Sequence, residues 1–322
     1  MPGTGVEPEV SVLVPCFNAE RYLRETLESA LGQEGVLSEV VAVDDGSTDG
    51  TAQVLRSFGE RVRWVRQENA GVSAARNRLM RMARGQFFQF VDADDVLAAG
   101  TLRRRLDVAQ ASGADVVVCW WDVVSEDGAA LPQRQRSQRL RAEDLTGDVE
   151  LAAFTWLWAP PVAVLYAREL AERVGEWRTD MPVIQDARFL FDALRLARKA
   201  VVLEEVGARY RVHEAGSVSS RSRGRFFEDV LRNGLQIAEL WQRSGALTAE
   251  RRAALGECFE GVARVRLEEG RGDFCQALEL ARKFAGRVRG KKLLLAEALR
   301  RAGLWQLCRG FFSAARREGG RV

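Results

Sequence analysis

Val10–Leu31 reads VSVLVPCFNAERYLRETLESAL, and the change of period partway along it decides the fold class. Val10–Val14 is a short apolar run closed by Pro15, the pattern of a buried strand. Over Arg21–Leu31, Tyr22, Leu23, Leu27, Ala30 and Leu31 then recur at helical spacing. The same pair of signals returns down the chain. Val40–Val43 is a second strand, ended by DDGSTDGT at Asp44–Thr51, where Asp49 suits the N-cap of a helix running to Phe58. Strands follow at Val62–Val65, Phe87–Val91 and Asp115–Trp121, with helices at Val72–Ala83 and Thr101–Ala111. This alternation predicts an α/β architecture, a mainly parallel sheet flanked by helices. Its crossovers should be right-handed, and a ligand should sit beyond the carboxyl ends of the strands. PCFN, DDGSTD and DADD each lie just past a strand end, so three turns should converge on one crevice.

From Ser125 to about Glu150 the chain is polar and includes PQRQRSQRLR, which reads as a solvated loop or as a flap over the site. Phe154–Ala167 is apolar and aromatic. Arg168–Val174 and Gln185–Ala197 read as helices, Val201–Glu205 and Ala208–Val212 as short strands. Past Arg223 the β signal stops, and helical patterns cover Phe226–Arg243, Ala249–Glu269, Asp273–Arg287, Lys291–Ala302 and Leu304–Arg317. The expected organisation is therefore a catalytic-type α/β domain over 1–222 and an all-helical C-terminal domain over 223–322.

Composition narrows the class. The 322 residues are 47% hydrophobic and 29% charged, which excludes wholesale disorder, and a net charge of +3 excludes a polyanion binder by bulk charge. No apolar run reaches the ~18–20 residues of a membrane span, and MPGTGVEPEV lacks the pattern of a secretory leader. The five cysteines, Cys16, Cys119, Cys258, Cys275 and Cys308, are dispersed with no CxxC, which argues against a zinc site and a disulfide framework. A cytoplasmic protein is expected.

In DADD, Asp92, Asp94 and Asp95 crowd three carboxylates behind one strand. In an extended segment Asp92 and Asp94 would share a side, and Mg²⁺ or Mn²⁺ would relieve their repulsion while leaving positions for phosphate oxygens. The alternative is capping of the next helix. Asp44 and Asp45 suit the ring N–H of a base or ribose hydroxyls, and equally suit turn chemistry. Arg76, in NAGVSAARN, reaches toward a base or phosphate, or is a solvated arginine on an Ala-rich helix. Asp186 opens a helix after an extended segment, as a general base or as a cap. His213 is the single histidine, structural by default, with a diphosphate or metal role as the alternative.

VSVLVPCFNAERYLRETLESAL, VVAVDDGSTDGT, ENAGVSAARN and FQFVDADD, in this order and spacing, resemble family 2 glycosyltransferases across Val10–Trp121, and more loosely through Asp186 and YRVH to about Ser219. The resemblance implies a GT-A fold, a nucleotide-sugar donor (UDP-linked), a divalent metal, and inversion at the anomeric carbon of the transferred hexosyl group. Carried over by position, it places Pro15, Cys16, Phe17 and Asn18 along the base pocket, with Asp45, Asp44 and Arg76 at the base. Asp92 and Ala93 fall in the part of the motif that holds the sugar nucleotide. Asp94 and Asp95 join His213 as the metal set, and Asp186 is the catalytic base, although the family often has Glu-Asp where this chain has Gln185–Asp186. The QxxRW signature of processive synthases is absent. The acceptor is expected to be a glycan or a lipid-linked glycan.

Two rival readings remain. A sugar-1-phosphate nucleotidyltransferase carries a Gly-rich basic loop after the first strand, where this chain has PCFNAERY. A non-catalytic module on the same fold would bind a sugar nucleotide or a partner. A dehydrogenase is weaker, because no GxGxxG follows a strand. Lys283–Val322 holds eleven Lys/Arg against Glu297 and Glu318, a net +9, with Trp305, Leu307, Phe311 and Phe312 among the cations. Such a tail either docks on the catalytic domain or makes peripheral contact with the inner face of the cell membrane. Nucleic acid is not expected as a partner, for want of a recognised motif.

Overall fold

The computed structural model describes residues 7–131, 139–213 and 223–304. The chain divides into two compact units, Met1–Ser217 and Val218–Val322. In the first, strands and helices alternate as β1 (Val10–Cys16), α1 (Leu23–Leu31), β2 (Ser38–Asp44), α2 (Thr51–Ser57), β3 (Arg63–Arg66), α3 (Val72–Met82), β4 (Phe87–Phe90), β5 (Val96–Leu97), α4 (Thr101–Ser112) and β6 (Val116–Val124). Then come α5 (Val149–Thr155), β7 (Val164–Ala167), α6 (Arg168–Val174), α7 (Gln185–Leu196) and β8 (Ala200–Arg211).

The eight strands form one mixed sheet in the order β3-β2-β1-β4-β7-β6-β8-β5. The β3-β2-β1-β4 half is parallel, as the alternation predicts, and β6 also runs parallel to β8. β7 is antiparallel to both β4 and β6, and β5 is antiparallel to β8. All seven residues of β1 are buried, which explains its unbroken apolar run: a central parallel strand is covered on both faces. The two short strands expected at Val201–Glu205 and Ala208–Val212 are one strand, β8, whose register against β6 shifts near Trp120. Beside the sheet, Phe90 meets Trp177 edge-on at 4.8 Å, and Trp177 stacks flat on Phe189 at 4.1 Å. These rings fix the segment before α7 against β4.

The second unit is helical among its described residues: α8 (Arg223–Arg243), α9 (Ala249–Glu268), α10 (Phe274–Ala285) and α11 (Lys291–Arg301). Thr248 caps α9 by accepting the Arg251 N–H, and Val262, Phe274, Leu278 and Leu293 belong to its core. The expected fifth helix, past Leu304, lies outside the described residues.

Candidate functional site

The loops after β1 and β2 are laced together. Asn18 adopts a left-handed conformation (φ 48°), its N–H donates to Ser47 Oγ at 3.0 Å, and its Oδ1 accepts the Thr48 N–H at 2.8 Å. The Ala19 N–H donates to Thr51 Oγ1 at 2.8 Å. A short polar side chain tolerates this backbone better than most, which is why Asn works at that turn. Pro15 and Cys16 are buried beneath the crevice, whereas Phe17 is 52% exposed and offers a ring face for stacking. Burial, with the charges of Asp44 and Asp92, pushes the Cys16 thiol far up, so it stays protonated and inert.

The two acids after β2 have different tasks. Asp45 accepts the Gln67 side-chain amide at 2.7 Å and the N–H groups of Ala70 at 3.0 Å and Gly71 at 2.8 Å. It ties the segment entering α3 to the end of β2. Asp44 is fully buried, and its Oδ1 accepts the Ser47 N–H at 2.9 Å. Its Oδ2 has no hydrogen-bond partner, and the nearest cation, Arg66 Nε, is 3.6 Å away. Of the pair, Asp44 therefore keeps an acceptor for an incoming donor.

Between the DADD turn and Trp177, Arg76 projects from α3, only 1% exposed. One Nη pairs with Asp92 Oδ1 at 2.5 Å, and the guanidinium lies 4.3 Å over the Trp177 ring. Trp177 is held by reciprocal bonds with Asn77, whose Oδ1 accepts the Trp177 N–H at 2.7 Å and whose Nδ2 donates to the Trp177 carbonyl at 3.1 Å. The Nε and other Nη of Arg76 are buried without a hydrogen-bond partner. Asp186 stands in the first turn of α7, and its Oδ2 accepts Trp158 Nε1–H at 3.0 Å. Burial raises the Asp186 carboxyl above the ordinary range. Arg76 and the Trp158 bond pull it back, and the Asp92 charge adds to the rise.

DADD is not extended. The Asp95 N–H donates to the Asp92 carbonyl at 3.0 Å, closing a tight turn, so Asp92 faces Arg76 while Asp94 Oδ2 lies 2.7 Å from His213 Nε2. Ala93, 8% exposed, packs under the turn, and Asp92 and Asp94 each keep about a third of their side chains exposed, at 32% and 33%. His213 Nδ1 lies 3.5 Å from Glu126, and the Asp94 bond raises the His213 pKa. Asp95, expected among the metal ligands, lies beneath the turn. It is fully buried, its Oδ1 accepts the Arg211 N–H at 2.9 Å, and burial with the neighbouring Asp94 and Asp92 charges drives its pKa well up. No group of three His, Cys, Asp or Glu residues among the described residues closes a metal site by itself.

Four participants were missed by motif reasoning: Arg211, Trp177, Trp158 and Glu126. Arg211, inside YRVH, is 5% exposed. It donates to the Asp94 carbonyl at 2.9 Å, the Glu126 carbonyl at 2.9 Å and the Glu25 carboxylate at 2.6 Å, over the Tyr22 ring. Its position two residues before the single histidine was the available signal. The tryptophans carried none: Trp158 sits in an apolar run that reads as core, and Trp177 stands alone between Glu176 and Arg178.

Residues 11–169 match the family model described as Glycosyl transferase family 2. The uncharacterized glycosyltransferase EpsJ of Bacillus subtilis (strain 168) is 30% identical over 208 residues, 62% of this chain and 59% of that protein. The succinoglycan biosynthesis protein ExoO of Rhizobium meliloti (strain 1021) is 38% identical over 141 residues, 43% of this chain and 40% of that protein. The chain thus spans less than two thirds of either relative. Among solved structures, residues 1–349 of S. aureus TarS in complex with UDP superpose with a TM-score of 0.64 at 22% identity, covering 98% of this chain and 93% of that one.

Proposed function

The chain carries a glycosyltransferase family 2 domain on a GT-A fold, and from that premise we propose that the protein is a metal-dependent, inverting glycosyltransferase. It moves a hexosyl group from a UDP-linked sugar to a hydroxyl of a glycan or lipid-linked acceptor. The observation that carries this reading is the convergence of Asp92, Arg76 and the partly buried Asp186 beyond the sheet. UDP as the carrier is supported by the nucleotide bound to TarS, and glycan assembly by the naming of ExoO.

Asp186 receives the proton of the acceptor hydroxyl on Oδ1, because Trp158 engages Oδ2. The freed oxygen attacks the anomeric carbon from the face opposite the diphosphate, the carbon–oxygen bond to the diphosphate breaks, and the nucleoside diphosphate leaves. Arg76 holds Asp186 ionised against its burial and orients Asp92. Phe17 and Asp44 receive the base, Phe17 by its exposed ring and Asp44 by its unused oxygen. Asp94 and His213, a carboxylate and an imidazole in contact with each other, would hold a divalent cation, a donor pair that suits Mn²⁺ better than Mg²⁺. A cation held there offsets the charge that grows on the departing diphosphate. Asp95 supports the turn from beneath.

No helix among the described residues is long and apolar enough to cross a membrane. The same reading places the protein in the cytoplasm, with its basic C-terminal region in peripheral contact with the inner face of the membrane. The test is a panel of sugar nucleotides incubated with Mn²⁺ and acceptor. Release of free nucleoside diphosphate, lost in Asp186→Asn, supports the transferase. Release of pyrophosphate would establish the nucleotidyltransferase instead, and no turnover of any donor would leave a binding module.

A further inference from the structure

Helix α11 is apolar on two opposite sides. Leu293 and Ala296 are buried with Val262, Phe274 and Leu278 in the core of the helical unit. On the other side Leu294 and Leu295 are 39% and 52% exposed, and Ala298 and Ala302 are exposed with them. At about 100° per residue Lys291, Leu295, Ala298 and Ala302 fall on one stripe, with Leu294 at its edge. A helix whose single duty is to cover a core carries polar residues there.

The charge around this stripe has one sign. Lys283–Leu304 holds seven Lys/Arg against Glu297 alone. Glu297 is turned inward and buried, where it accepts from Arg282 at 2.7 Å and Arg301 at 2.8 Å. Lys291, Lys292 and Arg300 stand exposed at the two ends of the helix. From this pairing of bare leucines with cations we propose that α11 is a lipid-facing helix that seats the chain on an anionic bilayer. Its leucines enter the acyl boundary and its cations meet headgroup phosphates. A second copy of the chain is a poorer occupant, since two such faces would bring like charges together. The inference rests on the preceding reading only for a membrane as the place where the acceptor sits.

The full chain is floated with vesicles of phosphatidylglycerol and phosphatidylcholine, and separately with phosphatidylcholine alone. Binding to the anionic vesicles only, weakened by salt, is expected. Leu294→Glu with Leu295→Glu should reduce partitioning at least ~tenfold. Lys291→Ala and Lys292→Ala should each cost ~fivefold. All four positions are exposed, so the thermal melt should be unchanged, and donor turnover in solution is measured alongside. Normal turnover with no flotation overturns the lipid assignment alone. Flotation without turnover overturns the enzymatic reading alone. Flotation of the Leu294→Glu/Leu295→Glu variant at wild-type level, or its conversion of a sedimenting dimer into a monomer, also overturns the lipid assignment.

Discussion

Asp186 concentrates the chemistry at the scale of single residues. A base works ionised, so turnover falls as pH drops through its pKa, and a carboxyl raised by burial places that acid limb above the range of an ordinary aspartate near ~3.9. Replacing Arg76 by Met removes the cation that opposes the rise, and the acid limb of the kcat profile should move further toward alkaline pH. A purely structural Arg76 would lower the rate without moving the limb. Asp186→Asn should cost ~10²–10⁴-fold in kcat while leaving donor binding, measured by calorimetry, nearly intact. Asp95 makes a separate case. Its folded pKa is raised, so its contribution to stability is fully present below the unfolded pKa and is lost as pH rises through the folded one. Asp95→Asn keeps an acceptor for the Arg211 N–H without the charge. Its urea stability should match the parent near ~pH 4 and exceed it increasingly toward neutrality. Asp95→Ala leaves that buried N–H unpaired and should cost ~1–3 kcal/mol. The positions of these acids were legible because Asp45 and Asp95 follow strand ends and Asp186 opens a helix. Their division of labour was not, because the partners that settle it are remote in sequence: Asp45 is claimed by Gln67, Ala70 and Gly71, and Asp95 by Arg211.

Among the elements, β8 carries the most consequence and was the hardest to read. Glu204, Glu205 and Gly207 interrupt its apolar pattern, so the sequence divides it in two, yet a register shift against β6 lets the strand continue to Arg211. Gly207 lies where that strand crosses α4. A Cβ there would meet Thr101 Oγ1, the Cys119 Sγ at 2.7 Å and the Arg105 guanidinium at 2.9 Å. Arg105 is itself buried, donating to the carbonyls of Gly207 at 2.9 Å and Val162 at 3.0 Å. Gly207→Ala should therefore cost ~1–3 kcal/mol in thermal or urea unfolding. It should also weaken Mn²⁺-dependent donor binding, because β8 delivers Arg211 and His213 to the DADD turn. β7 escaped detection for another reason. Four residues after two prolines carry too little periodicity to announce a strand, and its antiparallel pairing with β4 and β6 is a long-range contact.

At the scale of the molecule, the loss of β signal past Arg223 has a physical counterpart in two separate cores. The larger cluster runs from Val10 to Ala208, and the buried residues of the helical cluster run from Val262 to Ala296, with none in common. Every candidate site residue, from Pro15 to His213, belongs to the first unit. A stretch of some two hundred residues buries enough of its own surface to fold without help. The fragment 1–222 should accordingly unfold in a single cooperative transition and bind UDP with the affinity of the full chain. If it also keeps its turnover of a soluble acceptor but loses flotation on anionic vesicles, the helical unit serves placement and the α/β unit serves chemistry. A fragment that folds but no longer turns over donor would assign part of the catalytic geometry to the helices, and one that fails to fold would refute the division at 222.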